Sequence, residues 1–197
     1  IPVLPVYVDS PMAIDATAVF EKRKGDYDLA AKVLELNGKQ ILRTGNLHFY
    51  RDKEQSKRLH ENVASGIIIS ASGMVEGGRI LHHMKHRLPY SRNTVLFIGY
   101  QAHGTRGRTI VEGKEMVKIH GEIVPVRATV ESISGFSAHA DYKEELAWLM
   151  GFNRPPLKTF VVHGEPEAAS AMADHIQKIF GWDVVIPSFK EKFTIDL

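Results

Sequence analysis

The sequence predicts an α/β protein built on a mainly parallel sheet, and three observations carry that prediction. Short β-branched runs alternate with helical stretches, as in Ile67-Ile68-Ile69, the helix expected over 77–88, and Thr94-Val95-Leu96-Phe97-Ile98. Polar segments rich in glycine follow two of those runs, at 70–79 and 99–108. In α/β folds such segments lie outside the carboxyl ends of the strands, where ligands gather. With 197 residues, 44% of them apolar, the chain is long and hydrophobic enough to bury a core.

Each element follows from local signals. Val3 to Val8 reads as the first strand. Asp9-Ser10-Pro11 supplies turn chemistry and a helix start, with Pro in the first turn of a helix running to about Lys24. A shorter helix is expected over Asp28–Leu36, a strand over Asn46–Tyr50 and a charged helix from Asp52 to about Asn62. The run Gly66-Ile67-Ile68-Ile69-Ser70 is expected to be a buried central strand. Beyond Arg108 the texture changes, and Thr109-Ile110-Val111, Met116–Ile119 and Ile123–Val126 are expected as short antiparallel strands turning at Gly113 and at His120-Gly121. After Ser137 the expected order is helix 141–150, strand 157–162, helix 166–180, then strands 183–186 and 192–196. That shift places a boundary near residue 134. No internal repeat or low-complexity linker interrupts the chain.

Composition narrows the chemistry. There is no cysteine, so disulfides are excluded, and any metal must be held by His, Asp or Glu, which suits zinc or manganese hydrolase sites. No apolar run approaches the length of a membrane span, and the start Ile1-Pro2-Val3-Leu4-Pro5 has no signal-peptide pattern, so a cytoplasmic protein without membrane contact is expected. The chain begins without Met, inside a β-like segment, as a piece of something larger would. Residues 1–110 carry 16 Lys/Arg against 10 Asp/Glu, whereas 111–197 carry 9 against 13. A basic first half is either the footprint of a phosphate-rich partner or a solvated face.

Four segments hold side chains suited to chemistry. In Ser70-Ala71-Ser72-Gly73-Met74-Val75-Glu76-Gly77-Gly78-Arg79, backbone N–H groups and a helix start could cradle a phosphate, or the glycines could serve turn geometry alone. In Gly99-Tyr100-Gln101-Ala102-His103-Gly104-Thr105-Arg106-Gly107-Arg108, expected on the same sheet edge, Arg106 and Arg108 are either a bidentate phosphate clamp or surface arginines. His82, His83 and His86 cluster on a helix, with His82 and His86 at i, i+4 on one face; that spacing suits metal binding, but with no acidic ligand nearby a solvated helix face is expected. His48, His60, His120 and His175 carry no further signal. In Gly135-Phe136-Ser137-Ala138-His139-Ala140-Asp141, His139 is suited to general acid chemistry, and Asp141 either holds its ring or caps the next helix. His163, ending Val161-Val162, is either a metal ligand or a core histidine.

Together, segments 70–79, 99–108, Phe136-Ser137-Ala138-His139-Ala140-Asp141 and Val162-His163-Gly164-Glu165 resemble the β-CASP group of metallo-β-lactamase-fold nucleases, which includes the mRNA 3′-end cleavage endonuclease and bacterial and archaeal RNA-processing exonucleases. The likeness starts at Val8-Asp9-Ser10-Pro11-Met12-Ala13. The resemblance implies that residues 1–133 are most of a β-CASP domain and 134–197 the C-terminal part of an αββα metallo-β-lactamase domain. It implies His139 as general acid on the leaving oxygen and His163 as a ligand to one of two zinc ions. It also implies single-stranded RNA as the partner, its phosphates met by Ser72, the amides around Gly73, Arg106 and Arg108. Val is usual at the position of His163 in DNA-processing members, so His163 favours RNA. A homodimer is compatible with this reading. The family's His-x-His-x-Asp-His motif is missing from these residues, so this chain alone is expected neither to hold a dinuclear zinc centre nor to cleave RNA. The rivals are a non-catalytic RNA-binding or scaffold subunit and a nucleotide-binding doubly wound domain.

Overall fold

A computed structural model describes residues 3–43, 45–61 and 65–195. Asn62 and Asp196, where two expected elements end, lie outside the described residues. The chain divides into two compact units, Ile1–Phe136 and Ser137–Leu197.

The first unit opens with a parallel sheet of β1 (Val6–Val8), β2 (Leu47–Phe49) and β3 (Ile67–Ile69) in the order β2-β1-β3, with Val6 opposite both Leu47 and Ile67. The triple-isoleucine strand therefore lies at an edge among the described residues, not at the centre, and Ile67 and Ile69 are 48% and 49% exposed. An unbroken apolar run reports that both faces of a strand can be covered; it does not report the strand's place in the order. Helix α1 (Pro11–Lys22) starts where expected, because Ser10 Oγ accepts the Ala13 amide at 3.3 Å and Pro11 occupies the first turn. Helix α2 (Leu29–Leu36) is capped by Asp28, and α3 (Lys53–Glu61) by position is the charged helix foreseen.

Helix α4 (Ile80–Arg87) leads to β4 (Thr94–Ile98), and β4 pairs in parallel with β7 (Thr129–Ile133), Thr94 facing Thr129. Strand β7 was not foreseen, although Thr129-Val130-Glu131-Ser132-Ile133 alternates as a half-buried strand should. Strands β5 (Met116–Ile119) and β6 (Glu122–Pro125) form the expected antiparallel hairpin. Thr109-Ile110-Val111 is a correction: it belongs to helix α5 (Arg106–Val111) rather than to a strand. Thr105 caps that helix through the Arg108 amide, and Ile110, fully buried, packs with Val75, Leu88, Phe97 and Ile119. Tertiary burial and a cap thus override β-branched propensity.

The second unit holds α6 (Tyr142–Leu149), a parallel pair of β8 (Thr159–Phe160) and β9 (Val184–Val185), and α7 (Pro166–Phe180). Its core is Leu146, Ile176 and Trp182, flanked by Leu149, Val161, Met172 and Phe180. The strand expected over 192–196 is absent among its described residues. Phe193 instead meets Phe160 edge to face with centroids 5.0 Å apart, so this segment packs through a side chain. Among the described residues no helix is long and apolar enough to cross a membrane.

Candidate functional site

In the first unit, the chemistry converges on the residue that follows β1. Asp9 is fully buried at the end of the middle strand, and its carboxylate receives Ser56 Oγ (2.6 Å), Arg79 Nη1 (2.7 Å) and His83 Nε2 (2.7 Å). Arg79 also donates to the carbonyls of Tyr50 (2.8 Å) and Arg51 (2.6 Å), tying the end of β2 to the same point. The Asp9 amide bonds to Ile69 O at 2.8 Å and its carbonyl accepts Ser70 Oγ at 3.1 Å, so the ends of all three strands meet there. Burial pushes the Asp9 carboxyl up, and the hydrogen bonds from Ser56, His83 and Arg79 outweigh it and hold the group below the ordinary value.

His83 corrects the expectation of a solvated helix face, because it is only 4% exposed. Burial lowers its pKa despite the Asp9 contact, and among the described residues its buried Nδ1 has no partner. A protonated ring would place an unsatisfied N–H there, so His83 is neutral and donates through Nε2. Around it, His60 stacks on His86 with centroids 4.7 Å apart and meets His83 edge-on at 4.9 Å, and His82 lies 4.7 Å from His120. Burial, then the neighbouring histidines, lower His60 to about 4. Asp9 and this histidine packing were missed by the sequence reading. The available signal was an acidic residue directly after a β-branched strand, with nothing local to pair it.

Next to Asp9 is a cleft of about 340 Å³ lined by Ser10, Pro11, Met12, Ser72, Gly78 and Arg79 among others. Ser72, one of the foreseen phosphate residues, lies in it, whereas Gly73 is exposed outside that lining. Gly78 needs its lack of a side chain: at φ +75° a Cβ would also stand 3.2 Å from Ala71 O.

Arg106 and Arg108 are on α5, not in an open loop, and both guanidinium groups face carboxylates of this chain. Arg106 reaches Glu76 Oε2 (3.1 Å) and Lys118 O (2.7 Å), while its amide donates to Glu76 Oε1 (2.7 Å); Arg108 Nε reaches Glu112 Oε1 (2.6 Å). The strands before the two loops belong to different sheets among the described residues, yet the loops touch, since Gly107 N donates to Met74 O at 3.0 Å. A Cβ on Gly107 would stand 1.9 Å from Gln101 Oε1 and 3.1 Å from Met74 O, so a side chain there requires Gln101 to move aside.

In the second unit, Asp141 is the helix cap. Its Oδ1 accepts the amides of Lys143 (2.8 Å) and Glu144 (3.0 Å), and Glu144 returns a bond to the Asp141 amide (2.9 Å). The His139 ring is exposed and faces Ser137 Oγ across 3.2 Å through Nδ1. That contact leaves Nε2 directed elsewhere. His163 follows β8 on an exposed turn at φ +64°, a left-handed conformation that costs a non-glycine residue roughly 1–2 kcal/mol. It lines a cleft of about 470 Å³ together with Tyr142, Glu145, Val161, Met172 and His175. His139 is not among the residues lining it.

Among the described residues no group of three His, Asp or Glu is arranged to hold a metal. His163 is a chemically suitable zinc donor, but one imidazole is not a site, since zinc takes three or four protein ligands.

Comparison with known proteins finds two family matches in succession along the chain. A β-CASP domain model matches residues 1–110, and one described as a Zn-dependent metallo-hydrolase RNA specificity domain matches 123–187. Ribonuclease TTHA0252 of Thermus thermophilus is 37% identical over 191 residues, covering 97% of this chain and 43% of its own length. The transcription termination factors FttA of Methanocaldococcus jannaschii (32% identical, 61% of this chain, 20% of theirs) and Pyrococcus horikoshii (29%, 94% and 29%) are also similar. The chain thus spans less than half the length of these relatives.

Proposed function

Since the chain belongs to the β-CASP family, the match taking in more than half of it, we propose that it is part of a zinc-dependent ribonuclease that hydrolyses phosphodiesters of single-stranded RNA. In this reading residues 1–133 serve as most of the β-CASP domain and 134–197 as the C-terminal part of the metallo-hydrolase domain; the order of the two family matches supports it, the second match beginning at residue 123. The observation that carries the reading is His163. Of the four non-glycine residues with positive φ among the described residues, Val75, His120, His163 and Lys190, it is the exposed His163 that lines the cleft of the second unit, and strained backbone of this kind clusters at functional sites.

His163 would contribute its imidazole to one of two zinc ions. When bound, zinc would activate a water and offset charge on the phosphate; its remaining ligands would come from outside the residues described. His139 would protonate the leaving oxygen. Its exposure permits approach of a substrate, and the Ser137 contact through Nδ1 orients the ring. Ser72 and the amides around Gly73 would hold phosphate, and Arg106 and Arg108 would do so by exchanging Glu76 and Glu112 for it. A chain without cysteine agrees with a cytoplasmic location. A homodimer is part of the proposal, and sedimentation of the full-length protein tests it.

The test is cleavage of an end-labelled, unstructured RNA by the full-length protein with zinc or manganese, beside its His163→Ala and His139→Ala variants. Expected are loss of cleavage with loss of metal for His163→Ala, and a turnover drop of about 10²–10⁴-fold with metal retained for His139→Ala. The 197-residue chain alone should bind no stoichiometric zinc and cut nothing. Salt-dependent RNA binding with no cleavage by the full-length protein would replace this reading with that of a binding or scaffold subunit.

A further inference from the structure

Within the cleft at His163, one feature has no part in metal binding or proton transfer. The rings of Tyr142, at the start of α6, and His175, on α7, lie nearly parallel, with centroids 5.0 Å apart and planes 15° from each other. Both line the cleft. Both rings share helix faces with core residues of this unit: Tyr142 is one turn before buried Leu146, and His175 one turn after Met172, which packs against that core. Yet Tyr142 is 48% exposed and His175 only half-buried, so the stack is held in place while its edge stays open. The rest of the lining is mostly aliphatic, with Val161, Val162 and Met172 as its larger members, and Glu145 is a hydrogen-bond acceptor beside them. A volume of about 470 Å³ is ample for one planar heterocycle. Lys143 holds its ammonium 5.9 Å from the Tyr142 ring centroid, and Glu145 is the acidic member of the lining.

We infer that this cleft is a nucleobase subsite: one unstacked base of an RNA strand adds to the Tyr142–His175 stack, with Glu145 available to the base edge and Lys143 to the adjoining phosphate. The inference rests on the ribonuclease reading and deepens it by naming which residues grip the nucleotide near His163. The lining joins rings and aliphatic groups with one carboxylate, and aromatic stacking is the sequence-tolerant way to hold a single strand. The matched RNA specificity domain spans every residue of the cleft.

The experiment uses the full-length protein and a single-stranded oligoribonucleotide carrying one 2-aminopurine, whose fluorescence is quenched when it stacks. Tyr142→Leu and His175→Leu should each abolish the protein-dependent quench at one position of the oligomer and raise KM about tenfold, equivalent to ~1.4 kcal/mol, with kcat and zinc content little changed. Tyr142→Phe and His175→Tyr, which keep a ring, should restore both. If the Leu variants melt early, the ring-preserving pair still decides: wild-type quench in both supports the subsite, and loss in both overturns it. Unchanged quench and KM in well-folded Leu variants overturns the subsite while the nuclease reading stands. Cleavage undiminished by His163→Ala overturns the nuclease reading instead, and the quench is read independently of it.

Discussion

Asp9 and His163 both follow a strand in a cleft-forming loop, and they have opposite fates. Asp9 is fully buried, with three side chains bonded to its carboxylate, and its backbone joins three strand ends. His163 is exposed, its side chain makes no hydrogen bond among the described residues, and its backbone is strained at φ +64°. A buried charge is tolerated only when every partner is present, so the first position is a structural bolt. Strain of this kind contributes nothing to stability, which agrees with the functional role proposed for the second position. The end of a strand, by itself, does not say which of the two a polar residue will be.

The largest effect that can break this contrast is at Asp9. Asp9→Ala leaves Arg79, 17% exposed, facing no carboxylate, and should cost about 3–5 kcal/mol in chemical denaturation followed by circular dichroism. A loss below 1 kcal/mol would mean that the network is incidental.

Acid sharpens it next. The unfolded chain protonates its histidines below about pH 6.5, while His60 in the folded chain stays neutral down to about 4 and burial likewise holds His83 below its ordinary value. Between those values the unfolded state binds more protons, so stability should fall as pH drops from 6.5 towards 4. Below the ordinary carboxylate range, protonation of Asp9 should remove a further part. A melting temperature flat from pH 7 to 4.5 would sink the account of the histidine cluster, and His60→Phe should flatten the slope.

Smaller effects belong to the second unit. Asp141→Ala removes the acceptor of the Lys143 and Glu144 amides, leaves the residue-141 amide free to donate to Glu144, and should cost about 1 kcal/mol in the same denaturation assay. At His163 the sign reverses: His163→Gly should leave stability unchanged or raise it by up to ~1 kcal/mol, because glycine adopts the left-handed turn without strain. Destabilisation by more than that would show that the ring packs as a core residue and would remove the basis for a functional reading.

Several features were legible in the residues themselves. Ser10-Pro11 announced α1, Asp28 announced α2, and the strand–helix–strand alternation around 67–98 announced an α/β fold, because caps, proline and hydrophobic period act within one turn or one strand. The segments 70–79, 99–108, 136–141 and 162–165 were equally visible, since the composition of a short stretch is what makes a turn or a ligand loop. Sequence alone therefore determined the class of fold, the starts of its main helices and the family to which the chain belongs. Only tertiary structure decided that 109–111 is helical, that β1 and not β3 is central, and that His83 is neutral and buried against an aspartate 74 residues away. Those outcomes depend on which partners arrive across the fold. Burial and pairing are long-range quantities, and a local pattern carries no record of them.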